Sequence, residues 1–443
     1  MPDTTLHAMR RKRFMDQMEG GAALIPTHPE RIRSRDTDHR FRPDSDFYYL
    51  TGFKEPGAML LLLPGHPEHE VVLFLRPRDP LAEVWHGRRL GVERAPAALG
   101  VDAAFSIDEL EPMLRKLLAG SEKLFYQLGD DRDRDDLVLR LLPRLGNRHV
   151  QPPSSVLSPG TILHEMRLCK DAQELDLMRK AAAITAQGYE RALPAIRPGG
   201  WEYEVQAALE SAYRWLGGDG PAYNSIVAGG DNATILHYNE NDMVLNAGEL
   251  LLIDSGAEYG YYACDVTRTY PISGRFSDAQ RAVYEVVLKA QLAAIAEVRL
   301  GNHVKSYHLK AVEVLTQGLV DLGLLKGASV EALIADESYR KFYMHGTGHY
   351  LGLDTHDVGR YKPDNNADWR PMAAGMVVTV EPGLYIAIDA EGVDPAFRGI
   401  GIRIEDDILV TPTGNENFTQ AIAKSVTDVE AALAHAGRTP ALQ

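Results

Sequence analysis

Residues 344–359 read MHGTGHYLGLDTHDVG and place His345, His349 and His356 in one stretch. His345 and His349 are four apart, the spacing at which a helix can present two imidazoles to one zinc ion. The residues between them are Gly346, Thr347 and Gly348. Two glycines and a β-branched residue cost a helix about 2 kcal/mol relative to alanine-like residues. The stretch is therefore expected to be extended or looped, and the helical zinc motif fits it poorly. Any chemistry done by these histidines needs partners from elsewhere in the chain.

Carboxylates in apolar strand sequence supply such partners. In LLLIDSGAEYGYYACDVTRT one strand ends near Asp254, a turn passes through Gly256 and Gly260, and a second strand carries Asp265. A hairpin symmetric about that turn would set Asp254 and Asp265 opposite one another, with Cβ atoms roughly 4.5–5.5 Å apart. Like charges so placed destabilise a sheet, and divalent cations reverse the sign. Glu381 follows the apolar run MVVTV and precedes Pro382-Gly383, which leaves its carboxylate at a strand end. In GIRIEDD the two-residue strand period turns Ile402 and Ile404 one way, Arg403 and Glu405 the other. Singly, each is a common solvated charge. Together, two Asp, two Glu and one His carry a formal charge of −4, matching two divalent ions. Oxygen-rich ligation with one imidazole suits Mn²⁺ better than thiolate-type Zn²⁺ sites.

At 443 residues the chain is expected to hold two or three domains. Lys plus Arg is 47 against 62 for Asp plus Glu, a net charge of −15, with MRRKRF the one short basic run. Nucleic acid and anionic membranes are thereby disfavoured as partners. The two cysteines, Cys169 and Cys264, make no disulfide framework, and a reducing cytoplasm is the natural setting. No apolar run approaches the ~18 residues of a membrane span, and the first residues lack a signal-peptide core.

Short apolar runs (AALIP, DFYYLTGF, AMLLLLPG, EVVLFLRP) followed by helical patterns indicate an α/β domain over residues 1–165. The proline- and serine-rich HVQPPSSVLSPGT is taken as the boundary. Asp171 and Glu174 resemble a capping box that opens a second, α+β domain over 166–443. Helices are expected at about 202–216, 277–298 and 304–323, packed on one mostly antiparallel sheet, with TDVEAALAHAG as a capped closing helix.

IDSGAEYGYYACDVTRT, HGTGHYLGLDTHDVG, VEPGLY and GIRIEDD, in that order, closely resemble the pita-bread metallopeptidases, and among them the Xaa-Pro aminopeptidases. SDFYYLTGF, EVWHGRRLG and HEMRLCKDAQELDLMRKA resemble that group's N-terminal domain and junction. The resemblance implies two divalent ions, Mn²⁺ foremost with Zn²⁺ or Co²⁺ as substitutes, bridged by Asp265 and Glu405. Asp254 would complete one ion's shell, and His349 with Glu381 the other's. Glu381 is implied as general base, with His356 and His237 stabilising the oxyanion, and Tyr385 and Arg403 orienting the carboxylates. His345 and Tyr223 are implied in substrate binding, joined by Trp85 and Asp36 from the N-terminal domain of a neighbouring subunit in a homotetramer or homodimer. The substrates would be peptides with proline second. Prolidase is the nearest alternative, disfavoured because His356 and Glu381 stand only 25 positions apart. A non-catalytic peptide-binding module is disfavoured because all five ligand positions are intact.

Overall fold

The computed structural model describes residues 4–146, 148–149 and 151–436. The chain divides into two compact units, one ending at Met166 and one beginning at Arg167. In the first, six strands form a mixed sheet in the order Ala103–Ser106, Val71–Leu75, Met59–Leu62, Ala22–Pro26, Lys123–Phe125, Ser155–Leu157. The three strands between Ala22 and Leu75 pair antiparallel and the outer ones parallel. Unbroken apolar runs such as VVLFL suit strands covered on both faces. Leu114, Leu117, Val138 and Leu141 of helices Leu110–Leu117 and Arg132–Leu141 pack on Leu24, Leu61 and Phe74.

Two local readings change. DFYYLTGF lies in a helix, Ser45–Thr51, because the Asp44 carboxylate accepts the Phe47 N–H at 2.8 Å and Gly52, at φ 64°, closes it. The proline- and serine-rich segment taken as the boundary lies inside the first unit and carries a strand. Ser154 N–H bonds Glu122 O and Tyr126 N–H bonds Leu157 O, both at 2.8 Å, so Ser155–Leu157 extends the sheet. Trp85 lies in helix Pro80–His86, which Asp79 caps and Pro80 starts. No residue of that helix is buried.

The second unit packs long helices, Ala172–Ala192, Glu202–Trp215, Asp278–Glu297 and Ser306–Asp321, against antiparallel strands. The Asp171–Glu174 capping box forms. The closing helix, Val426–Ala436, is capped earlier than TDVE suggests: Ser425 Oγ accepts the Asp428 N–H at 3.1 Å. Val205, Tyr213, Val283 and Tyr284 from helices meet Leu251, Ile253 and Ile402 from strands, and Ile404 just beyond one, in one core.

Instead of one sheet, the strands make several short ones. Val380 pairs with Asp406 and Gly383 with Arg403, so Glu381-Pro382 and Ile404-Glu405 face each other across a break in the ladder. Pro382 has no N–H to continue it. The freed groups find other partners: Glu381 N–H bonds Thr347 O at 2.8 Å and Glu405 N–H bonds Thr267 O at 3.1 Å. Both glutamates thus stand at the seam where separate sheets meet.

Candidate active site

The aspartates arrive by a different register from the one expected. Gly260 and Tyr261 both have positive φ, 58° and 68°, and form a tight turn with Tyr259 paired to Tyr262. That centres the hairpin so that Asp254 pairs with Thr267, not with Asp265. Asp265 lies diagonally from it, and the Tyr223 hydroxyl spans the pair, 2.6 Å from Oδ1 of each. Gly256 makes the approach possible, since a Cβ there would overlap the Cys264 carbonyl.

His349 comes from the glycine-rich stretch, which forms no helix, as expected. It runs beside Val377–Val380, with Thr379 N–H bonded to His349 O at 2.9 Å. A Cβ on Gly348 would overlap the Thr379 carbonyl, so glycine is required for this approach. The His349 Nδ1–H donates to Tyr350 O at 2.9 Å, which leaves Nε2 facing Asp265 Oδ2 at 3.5 Å and Glu381 Oε1 at 3.7 Å. Ligand atoms of Asp265, His349 and Glu405 lie within 4.8 Å of one another.

The electrostatics of this cluster fit a divalent-metal site. Burial and the neighbouring carboxylates raise Asp254 and Glu405 and push Glu381 up to about 7. Burial disfavours charge on His349 too, but Asp265 and Glu381 outweigh it and raise the imidazole to about 9. The Tyr223 proton cannot serve two carboxylate oxygens at once, so the pair calls for a further positive centre. Hard oxygen donors with one imidazole match a divalent cation in that place.

Around the cluster, Arg403 donates to Asp254 Oδ2 at 2.7 Å, to the Tyr385 hydroxyl at 3.0 Å and to Thr267 Oγ1 at 3.1 Å. The Tyr385 hydroxyl lies 2.8 Å from His345 Nε2, whose Nδ1–H donates to Gly346 O at 2.7 Å. Burial, then Arg403, lowers His345 to about 3, so it is neutral near pH 7. Its ring meets Tyr343 edge-on at 4.9 Å. The His356 ring sits 4.4 Å from that of His349, and its pKa is lowered by burial and by His349. His237 is exposed on the segment after Gly230–Thr234. Trp85, 83 % exposed, and Asp36, exposed in the turn between Ile32–Ser34 and Thr37–Asp38, belong to the first unit.

Three participants escaped the sequence reading. The Thr267 hydroxyl donates to Glu405 Oε2 at 2.6 Å while accepting from Arg403; its position two residues after Asp265, the period of an extended chain, was the available signal. His308 Nδ1 lies 2.9 Å from Thr347 Oγ1, and burial lowers it to about 4. Glu202, fully buried, accepts from Gly229 N, Asn232 Nδ2, the Tyr238 hydroxyl and Met243 N, fixing the loop that bears His237. Nothing in the local sequence marks either His308 or Glu202.

Residues 176–412 match the model of metallopeptidase family M24, and residues 7–126 match the aminopeptidase P N-terminal domain. The Xaa-Pro aminopeptidase of Haemophilus influenzae is 46% identical over 422 residues, covering 95% of each chain. The solved aminopeptidase PepP of Pseudomonas aeruginosa superposes with a TM-score of 0.94 at 45% identity, covering 98% of this chain and 99% of that one. Zinc-substituted Escherichia coli aminopeptidase P in complex with product gives a TM-score of 0.94 at 42% identity, covering 99% of both. With both domain types matched and relatives aligned over almost the whole length, the chain belongs to metallopeptidase family M24, in its aminopeptidase P branch, and carries the pita-bread catalytic fold.

Proposed function

We infer that this chain is a metal-dependent aminopeptidase that releases the N-terminal residue from peptides with proline at the second position. The observation that carries the reading is the convergence of four carboxylates and one imidazole, three of the carboxylates buried and Glu381 and His349 half-buried, in a chain of this family. Asp254, Asp265, His349, Glu381 and Glu405 would hold two divalent ions, with Asp265 and Glu405 placed centrally among the donors, and Mn²⁺ suits this oxygen-rich set. Such ions supply Lewis acidity and lower the pKa of a water toward neutrality.

The remaining steps belong to the chain. Glu381 takes a proton from the attacking water and returns it to the proline nitrogen as the C–N bond breaks. The products are a free amino acid and a peptide beginning with proline. His356, assisted by His237, donates to the carbonyl oxygen as negative charge develops there. Neutral His345, beside Tyr343 and Tyr385, offers aromatic surface to the proline ring, and Tyr223 completes the substrate contacts. Tyr385 and Arg403 keep Asp254 oriented. An Xaa-Pro bond has no N–H and a fixed φ, so a pocket for the ring, not a grip on extended backbone, selects it.

The outward Leu81, Val84 and Trp85 support a homotetramer or homodimer in which Trp85 and Asp36 of one subunit wall the substrate cleft of another. Only two cysteines, far apart in the sequence, support a cytoplasmic setting. Among the described residues no helix is long and apolar enough to cross a membrane.

The test is a cleavage panel of Xaa-Pro dipeptides and Xaa-Pro-Xaa tripeptides with metal analysis on the same sample. Tripeptides should be cut faster, and alanine in place of proline should lower kcat/KM by orders of magnitude. Equal or faster cleavage of dipeptides would move the assignment to prolidase. Full turnover in a metal-free sample would end the dinuclear reading.

A further inference from the structure

We propose that Asp357, held between Lys170 and Arg167, is a positioning residue that fixes the His356 imidazole for the reaction; this rests on the aminopeptidase reading above. His356 is solvent-facing, on a stretch outside any helix or strand. Its neighbour Asp357 points the other way, into the interior. Oδ1 accepts from Arg167 Nη2 at 2.6 Å and Oδ2 from Lys170 Nζ at 2.9 Å, and side-chain exposure is 3 % for Arg167 and 1 % for Lys170 and Asp357. Arg167 Nη2 also donates to Asp354 Oδ2 at 2.7 Å, so one guanidinium ties down both ends of the 354–357 turn.

The backbone is built to accept this clamp. A Cβ on Gly352 would collide with Asp357 Oδ2 and lie 2.8 Å from Lys170 Cε, so only glycine lets the carboxylate reach the ammonium. Lys170 N–H bonds Gly375 O at 2.9 Å, which anchors the cation beside the turn leading into Val377–Val380 and Glu381. Asp357 N–H donates to Tyr350 O at 2.9 Å, the same carbonyl that accepts His349 Nδ1–H. One carbonyl therefore sets both the tautomer of His349 and the start of the segment behind His356.

Three dehydrated charges are a poor way to gain stability, because desolvation offsets much of their attraction and apolar replacements of equal volume are often as stable. What such a group does supply is a fixed direction, and here that direction is transmitted one residue along to a ring packed edge-on against His349 at 4.4 Å. Small misplacements of a reacting group cost on the order of 100-fold in rate.

The experiment compares Lys170→Met and Lys170→Arg in the metal-loaded, full-length protein and in a His356→Ala background. It measures kcat and KM on an Xaa-Pro-Xaa tripeptide, metal content, and hydrogen exchange over 351–360. Lys170→Met should lower kcat roughly 10–100-fold with KM and bound metal unchanged, and should speed exchange over 351–360. Lys170→Arg should recover most of the loss, and in His356→Ala the Met variant should cost nothing further. An equal additional loss in His356→Ala, a fall in metal content that accounts for the rate, or unchanged exchange would overturn the proposal. If Lys170→Met does not fold, Asp354→Asn, which removes only the more exposed partner of Arg167, should give the same pattern at a few-fold loss, and no change in it would equally overturn the proposal. A wild-type chain that cuts no Xaa-Pro tripeptide would refute the activity reading instead, and the exchange measurement alone would then decide the clamp.

Discussion

Thr267 shows how a single hydroxyl can serve a charged site. It donates to Glu405 at 2.6 Å and accepts from Arg403 at 3.1 Å, so one buried Oγ1 links a carboxylate to the guanidinium that also holds Asp254. Thr267→Val keeps the shape and removes both bonds. Supporting groups of this kind typically contribute 10–100-fold to metal affinity. Metal titration of this variant should therefore show affinity about 10-fold weaker, with kcat at saturating metal reduced less. Tyr385→Phe separates a different role: it deletes the hydroxyl between Arg403 and His345 while leaving every proposed ligand in place. Its kcat should fall about 10-fold with two ions still bound, since Arg403 keeps its direct bond to Asp254 when the hydroxyl is gone. A loss of metal in Tyr385→Phe would instead make the tyrosine part of the ligand scaffold.

The long helices were legible because their apolar period and caps are local: 202–216, 277–298 and 304–323 were expected, and Glu202–Trp215, Asp278–Glu297 and Ser306–Asp321 formed. The seam at Glu381 and Glu405 was legible only in part. Pro382 announced that a strand must stop, but not that another strand begins at Gly383 or that Thr347 and Thr267 take up the freed groups. The hairpin register failed for a related reason, because the turn is set by the positive φ of Tyr261 beside Gly260, and glycine positions alone do not reveal a non-glycine in that conformation. Close approach predicts that Gly348→Ala forces the 347–351 stretch away from Thr379, costing about 3 kcal/mol of stability and moving His349 away from the carboxylates. Denaturant unfolding together with metal content checks it; a stable variant with full metal would contradict the packing argument. Beside the seam, burial alone would raise Asp406, but Arg268 at 2.7 Å and Lys424 hold it below the ordinary carboxylate range. A depressed folded pKa gives stability that is complete above an unfolded value of about 4 and lost as pH falls toward the folded one. The melting temperature should thus drop as pH is lowered below about 4, and Asp406→Asn should be destabilised at pH 7 by roughly 3–5 kcal/mol with a flatter acid limb.

Two consequences concern the whole assembly. The buried carboxylates repel one another until cations are present, so metal binds the folded chain and stabilises it by mass action, about 2.7 kcal/mol when free metal is 100 times its dissociation constant. Chelation should lower the melting temperature and added Mn²⁺ restore it, whereas Asp265→Ala should respond weakly because it removes an oxygen shared by both proposed ions. The second consequence follows from helix Pro80–His86, which buries none of its residues and turns Leu81, Val84 and Trp85 outward. Tryptophan gives a broad apolar contact at small rotamer cost and is enriched where binding energy concentrates. If Trp85 walls a neighbour's cleft, Trp85→Ala should weaken tripeptide binding while leaving fold and metal content intact. Mixing it with Glu381→Ala after dissociation and reassembly places the two defects in different sites. In a mixed oligomer, some clefts then combine an intact Glu381 from one subunit with an intact Trp85 from another, so activity should partly return. No recovery in oligomers verified to be mixed, or a fully active monomer by sedimentation, would show that each subunit works alone.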